Sequence, residues 1–352
     1  MTSKWINLSC SPIQLSTTLT GGQSFRWKRF SNDNTTDSTS CFIGIMANCL
    51  WLLQETDKSV QFQVLGELPY PKDSEFSIVR MKVPEPEMNS TKENNALLYP
   101  EEYYKSLLRS YFRLDVDLEK YYAQWSAAHR HFKEEATRFS AIRMLNQEPV
   151  ENLFSFICSQ NNHISRISSL VEKLCSQYGP KICDFQGVSY YAFPDAAKLS
   201  APKVEGELRS AAFGYRAKFI QKSAAEVLAK GNLEWFHKLQ KLDYKEAHAE
   251  LTQLTGIGPK VADCICLMSL NHLQAIPVDT HVYQIAKLHY LPKLKDVKNV
   301  TPKVYNEIGD KFREVYGSSA GWAQTVLFCS DLAKFKEESS NDVVARKRSK
   351  KC

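Results

Sequence analysis

The sequence predicts an α+β protein, strand-forming near its N-terminus and helical through most of the rest. Three observations carry this. Val60, Phe62 and Val64 alternate with Gln61 and Gln63, the period of a half-buried strand, and Trp51 to Leu53 is a short apolar strand beside it. From about Asp117 onward apolar residues recur at helical spacing. Between residues 244 and 270 two helical runs flank the turn Thr255–Gly256–Ile257–Gly258.

Taken in order, strands are expected within residues 40–65, preceded by the polar loop Ser31 to Ser40. Residues 71–102 form a long loop, and its stretch Pro84 to Tyr99, rich in Pro, Asn and Glu, is expected to be disordered. Helices are expected over Leu118–Trp125, Glu148–Ser159, Ile164–Tyr178, Ala217–Lys230, Tyr244–Thr252, Lys260–Leu270, His281–Leu288 and Pro302–Val315. The division that results is a sheet domain over 1–115, a helical domain over 116–335 and a basic tail over 336–352. That tail, ending Arg346-Lys347-Arg348-Ser349-Lys350-Lys351, reads as a nuclear import signal or as a solvated end.

Composition narrows the function classes. The 352 residues suit two domains or one composite, and 43% hydrophobic content is ample for a core. A net charge of +6 favours a polyanionic partner, held by specific contacts rather than a broad basic surface. The 10 cysteines have no framework spacing, which fits a reducing compartment. No cysteine quartet follows the hairpin, so no iron–sulfur cluster is expected. No apolar run is long enough to span a membrane, and MTSKWINLSC lacks a clear secretory or organellar signal.

The hairpin carries the chemistry. Its glycines can take positive φ and have no Cβ to hold a ligand away. Pro259 suits the first position of a helix, and amides at that helix start can hold a phosphate. A bare GxG is more often an ordinary corner between helices; the full string LTGIGPKVAD points to a DNA-binding hairpin. Lys260 stands in the first helical turn, where the macrodipole and apolar neighbours both favour the neutral, nucleophilic amine. A surface lysine pairing with phosphate is the plainer alternative. Cys264 shares its helix face. Asp279 is placed to cap the next helix, which keeps its carboxylate ionised; a fixed carboxylate there can also stabilise an oxocarbenium-like sugar.

The order hairpin, Lys260, Pro277-Val278-Asp279 resembles the bifunctional helix–hairpin–helix–Gly/Pro–Asp DNA glycosylases. The strings GGQSFRW (21–27), FSFICSQNNHISRI (154–167), GYRAKFI (214–220), TGIGPKVADCICLMSL (255–270), PVDTH (277–281) and GWAQTVLFCSDL (321–332) narrow it to the eukaryotic 8-oxoguanine DNA glycosylase family. The resemblance spans residues 15–335 and implies an antiparallel sheet before the helical domain. It implies a monomer that removes 8-oxoguanine opposite cytosine from duplex DNA, in the nucleus and with a mitochondrial pool left open.

It also implies roles. Lys260 is the Schiff-base nucleophile and Asp279 the catalytic carboxylate. Gly22 offers its carbonyl to the N7 proton of 8-oxoguanine, Gln324 reads the Watson–Crick edge, Cys264 and Phe328 sandwich the base, and Pro277 lines the pocket. Asn161, Arg166 and Arg216 contact the orphaned cytosine and Tyr215 wedges the vacated stack. Gly256, Gly258, Val261 and His281 contact the backbone, with Asp331 orienting His281. No cofactor is required; the carbonyls of Thr252, Leu254 and Ile257 match positions that hold a monovalent or calcium ion. The chain departs from the family's usual triple asparagine with Asn161-Asn162-His163. Residues read without the resemblance leave two alternatives, a glycosylase for another lesion and a non-catalytic DNA-binding module.

Overall fold

Five antiparallel strands run in the order β1-β5-β4-β3-β2: β1 (Ile6–Ser9), β2 (Trp27–Phe30), β3 (Cys41–Met46), β4 (Cys49–Thr56) and β5 (Ser59–Glu67). The computed structural model describes residues 5–30, 40–56, 59–69, 75–76, 81–86, 97–294 and 299–332. Most of the loop Ser31 to Ser40, residues 87–96 of the expected disordered stretch and the basic tail therefore lie outside the described residues. Strands β3 and β4 join through Ala47 and Asn48, both at φ 55, the two-residue turn whose twist suits a hairpin.

Both faces of this sheet are covered. Helix α1 (Leu15–Thr20) follows β1, and helix α2 (Glu101–Tyr111) lays Tyr103, Tyr104, Leu107 and Leu108 against Trp51, Leu53 and Phe62. The other face, Ile43, Ile45, Leu50 and Leu52, meets Tyr190 of a second hairpin, with Ile182, Cys183 and Phe185 packed alongside. Two-sided burial explains why β3 and β4 read as nearly unbroken apolar runs while β5 alternates.

Two expectations need correction here. The loop expected over 71–102 is shorter: residues 75–76 pair with 81–82, Tyr99 is buried, and Glu101 already begins α2. Glu67 anchors this junction, accepting from Leu98 N at 2.7 Å and Tyr104 Oη at 2.6 Å. The region after Asp117 is also not wholly helical, because the second hairpin lies within it. Leaving aside the two-residue pair 75–76 and 81–82, we number its strands β6 (Lys181–Phe185) and β7 (Val188–Tyr191); they turn through Gln186 and Gly187 at φ 48 and 76.

The helices are α3 (Leu118–Ala128), α4 (Arg130–Ala136), α5 (Pro149–Ser159), α6 (Ile164–Tyr178), α7 (Ala196–Leu199), α8 (Val204–Ser210), α9 (Arg216–Lys230) and α10 (Leu233–Lys241). They continue as α11 (Tyr244–Thr252), α12 (Pro259–Met268), α13 (Thr280–Ile285), α14 (Pro302–Tyr316) and α15, residues 320–332. The expected helix from His281 to Leu288 ends at Ile285 and continues as one wider turn, Ala286–Tyr290. Among the described residues no helix is long and apolar enough to cross a membrane.

The strand region and the helical core are stitched together. Phe25 packs in the helical core and Leu145 in the core of the sheet. Gln23 donates to Arg143 O at 2.9 Å, accepts from Leu145 N at 3.0 Å, and its own carbonyl accepts from Gln147 Nε2 at 2.8 Å. The fully buried guanidinium of Arg143 donates to the carbonyls of Arg113 and Val116, each at 2.9 Å. These bonds fix the Gly21–Gly22 turn against the helical layer.

Candidate active site

The hairpin forms as its sequence requires. Asp243 begins α11 with a capping box, taking Lys245 N and Glu246 N while Glu246 accepts from its backbone. Gly256 sits at φ 82, and a Cβ there would lie 2.3 Å from the Phe219 ring. Gly258 departs from the expectation of positive φ. It is extended, at φ −93 and ψ 175, and serves as the N-cap of α12. A Cβ at Gly258 would meet nothing within 4 Å, so that side is open to a ligand. Glu226 holds Thr255 through its amide and hydroxyl, and Gln160 Nε2 donates to Gly256 O at 2.7 Å.

The amides of Gly256, Gly258, Lys260 and Val261 donate to no acceptor among the described residues. They form the free N-terminal donor set that suits a phosphate. The side chain of Val261 is buried, which leaves its amide as the group available to a ligand. Of the three carbonyls matched to an ion site, those of Thr252 and Ile257 take no described donor; Leu254 O accepts from Ile257 N at 3.1 Å and keeps a second lone pair. Three such oxygens fit a hard cation. Among the described residues no cluster of three or more His, Cys, Asp or Glu is placed to hold a metal.

Lys260, Cys264 and Met268 repeat every four residues along α12 and face one cleft. Gly21, Gly22, Gln23, Phe156, Pro277 and Asp279 also line it, with Gln324, Thr325 and Phe328 of α15. The structure thus brings together all seven residues expected for catalysis and the base pocket. Half-buried Lys260 holds its ammonium 4.9 Å from the Phe156 ring centre, a cation–π contact. Burial pushes the neighbouring Cys264 thiol up to about 11, against the opposing pull of Lys260, so a neutral thiol faces the amine at pH 7.

Asp279 caps α13, accepting from Val282 N at 3.0 Å as expected. It shares the cleft with Lys260, yet the two form no ion pair within 4.0 Å. An ion pair would neutralise both groups. Gln324 is 4% exposed, and its amide makes no hydrogen bond among the described residues. A buried amide left open toward a cleft is suited to a ligand with donors and acceptors of its own. Gly22 sits at φ 87, where a Cβ would meet Phe328 at 3.3 Å.

A second group of expected residues meets at the C-terminal end of α5. Asn161 takes a left-handed conformation, φ 46, and is exposed, as is Arg166, which donates to Ala212 O at 3.4 Å. Tyr215, 46% exposed, stands on the Arg216 guanidinium at 4.7 Å and donates to Gln160 O at 3.3 Å. Arg216 is buried and already donates to the carbonyls of Gln160 and Asn161. The structure shows it fixing the Asn161 turn. His281 Nδ1 lies 2.7 Å from Asp331 Oδ2, the pairing expected, and its ring meets Phe328 edge-on at 5.7 Å.

Residues 5–153 match the family described as 8-oxoguanine DNA glycosylase, N-terminal domain, and residues 154–310 match the HhH-GPD superfamily base excision DNA repair proteins. The N-glycosylase/DNA lyase of Saccharomyces cerevisiae is 35% identical over 268 residues, 69% of this chain and 71% of the yeast protein. The chain belongs to the 8-oxoguanine DNA glycosylase family. The N-glycosylase/DNA lyase OGG1 of Arabidopsis thaliana is 41% identical over 227 residues, 64% of this chain; the match spans 61% of the plant protein's length. The 8-oxoguanine glycosylase/lyase of Clostridium acetobutylicum, solved in complex with duplex DNA containing cytosine opposite 8-oxoguanine, is 28% identical with a TM-score of 0.70, covering 92% of each chain.

Other residues lining this cleft escaped the sequence reading. Met268 was within reach of it, since the spacing from Lys260 to Cys264 continues one turn further. Phe156, Gln23 and Thr325 carry no such signal; they reach the cleft from α5, the Gly21–Gly22 turn and α15.

Proposed function

We propose that this chain is a bifunctional DNA glycosylase/β-lyase that extrudes 8-oxoguanine paired with cytosine and removes it through a lysine Schiff base. The observation that carries this reading is one cleft holding an amine, a carboxylate with no ion pair among the described residues and an open amide on a buried residue: Lys260, Asp279 and Gln324. The free hairpin amides beside it suit a phosphate, and the exposed ring of Tyr215 supports its assignment as the wedge. After giving up a proton, the Lys260 amine attacks C1′ as the bond to N9 breaks, and the departing base keeps that electron pair and takes up a proton. Asp279 offsets positive charge on the sugar. Ring opening gives the Schiff base, and loss of the C2′ proton then expels the 3′ phosphate and cuts the strand. No cofactor takes part in these steps. An ion on the hairpin carbonyls is structural in this reading, and the basic tail directs the enzyme to the nucleus.

A substrate panel tests the reading under single-turnover conditions. Duplexes with 8-oxoguanine opposite cytosine should be cleaved fastest, those with 8-oxoguanine opposite adenine slower, and undamaged guanine duplexes left intact. Preferred release of an alkylated purine or oxidised pyrimidine would replace the substrate named here.

Discrimination against guanine is assigned to the Gly22 carbonyl. The N7 proton of 8-oxoguanine can donate to it, whereas guanine presents a lone pair, a buried mismatch worth about 1–3 kcal/mol. Gly22→Ala should impair 8-oxoguanine excision strongly, because φ 87 disfavours a side chain and the added carbon crowds Phe328. Schiff-base trapping at a pre-formed abasic site should suffer less. Normal 8-oxoguanine excision by Gly22→Ala would place the recognition pocket elsewhere.

A further inference from the structure

Asp263 is fully buried on the otherwise apolar face of α12, less than one turn beyond Lys260. Its carboxylate accepts from Tyr244 Oη at 2.6 Å and from Tyr305 Oη at 2.5 Å. His248 Nε2 approaches to 3.8 Å and also lies 3.2 Å from Pro259 O, at the start of the same helix. The Arg313 guanidinium stands 5.4 Å from the Tyr244 ring. Burial raises this carboxyl, while His248, the two phenols and Arg313 favour its charged form. No step of the reaction proposed above uses Asp263.

Tyr305 belongs to α14 and reaches past Asp263 to the segment that delivers Asp279. Its hydroxyl accepts from Val278 N at 3.4 Å and lies 3.3 Å from Ile276 O. A phenol has a single proton, and the shorter contact assigns it to Asp263. The oxygen lone pairs then remain for Val278 N–H. Ile276, Pro277 and Val278 are all buried, and Pro277 has no N–H of its own to offer. Asp279 is the next residue. Its own hydrogen bond, to Val282 N, ties the carboxylate to α13 and not to the helix that carries Lys260. The phenol of Tyr305 is therefore a hydrogen-bonded bridge between α12 and the Asp279 segment.

We propose that Tyr305, held by Asp263, is a positioning residue that sets where the Asp279 carboxylate stands relative to Lys260, and thereby the rate of base release. The inference rests on the glycosylase reading of the cleft. Removing the hydroxyl leaves Val278 N–H and one carboxylate oxygen of Asp263 without their partner in a buried site, and the segment relaxes away from α12. Positioning errors of this kind weaken transition-state stabilisation without removing a reacting group.

The test compares Tyr305→Phe with the wild type on two duplexes, one carrying 8-oxoguanine opposite cytosine and one carrying a pre-formed abasic site. Attack of Lys260 on a free aldehyde needs no stabilised oxocarbenium ion, so the two substrates separate Asp279 from Lys260. We expect single-turnover base release to fall about tenfold or more, with borohydride trapping at the abasic site and duplex affinity each within about twofold. Asp263→Asn, which loosens the same bridge from its other end, should show the same selective loss. Equal losses on both substrates would mean a general structural role and overturn the proposal, as would unchanged base release in Tyr305→Phe. A wild type that neither releases the base nor is trapped would overturn the functional reading itself, an outcome distinct from either.

Discussion

Replacing Lys260 with glutamine is expected to abolish base release and strand cleavage together. Each should fall by at least about three orders of magnitude, equivalent to ~4 kcal/mol of barrier. Glutamine preserves most of the length but loses the ammonium that stands over Phe156 and has no nucleophilic nitrogen. The amides of Gly256, Gly258 and Val261 remain, so affinity for a duplex carrying 8-oxoguanine should change little. Borohydride reduction on such a duplex distinguishes this assignment from a phosphate-binding lysine. Wild type should be trapped and Lys260→Gln should not. A trapped adduct in the variant would remove Lys260 from its assigned role, because Lys260 supplies the amine that lines the cleft.

Asp279→Asn is expected to slow base release by about two to three orders of magnitude, the scale of losing one preorganised electrostatic contact in an active site. The amide has nearly the same shape and keeps an oxygen for Val282 N, so the α13 cap survives. Thermal denaturation should consequently show little change in Tm. The carboxylate's charge is what disappears, and with it the offset to the oxocarbenium ion. The absence of an ion pair with Lys260 strengthens the expectation, since the charge is not already neutralised by the amine. A variant that melts much earlier but excises at the normal rate below its Tm would leave Asp279 with the capping role alone.

Much of this protein was legible along the chain because the signals are local. Helices Ile164–Tyr178 and Tyr244–Thr252 have the bounds their spacing predicts, and Asp279 caps α13 as an aspartate at that position should. Helical spacing put Cys264 beside Lys260, and the same rule extends to Met268. The family, and the roles assigned to Gly22 and Gln324, were reached through a resemblance of strings and not through spacing. Tertiary structure alone decided that Gly22, Lys260, Asp279 and Gln324 line one cleft. It also decided that β6 and β7 cover the second face of the sheet, that buried Arg216 serves neighbouring carbonyls, and that Tyr305 joins Asp263 to Val278. The difference is physical. Caps and i, i+4 pairs are set by geometry within one turn of backbone and mark the sequence where they occur. Distant segments are brought together by burial of apolar surface, which is non-directional and leaves no residue-by-residue pattern to say which buried face meets which.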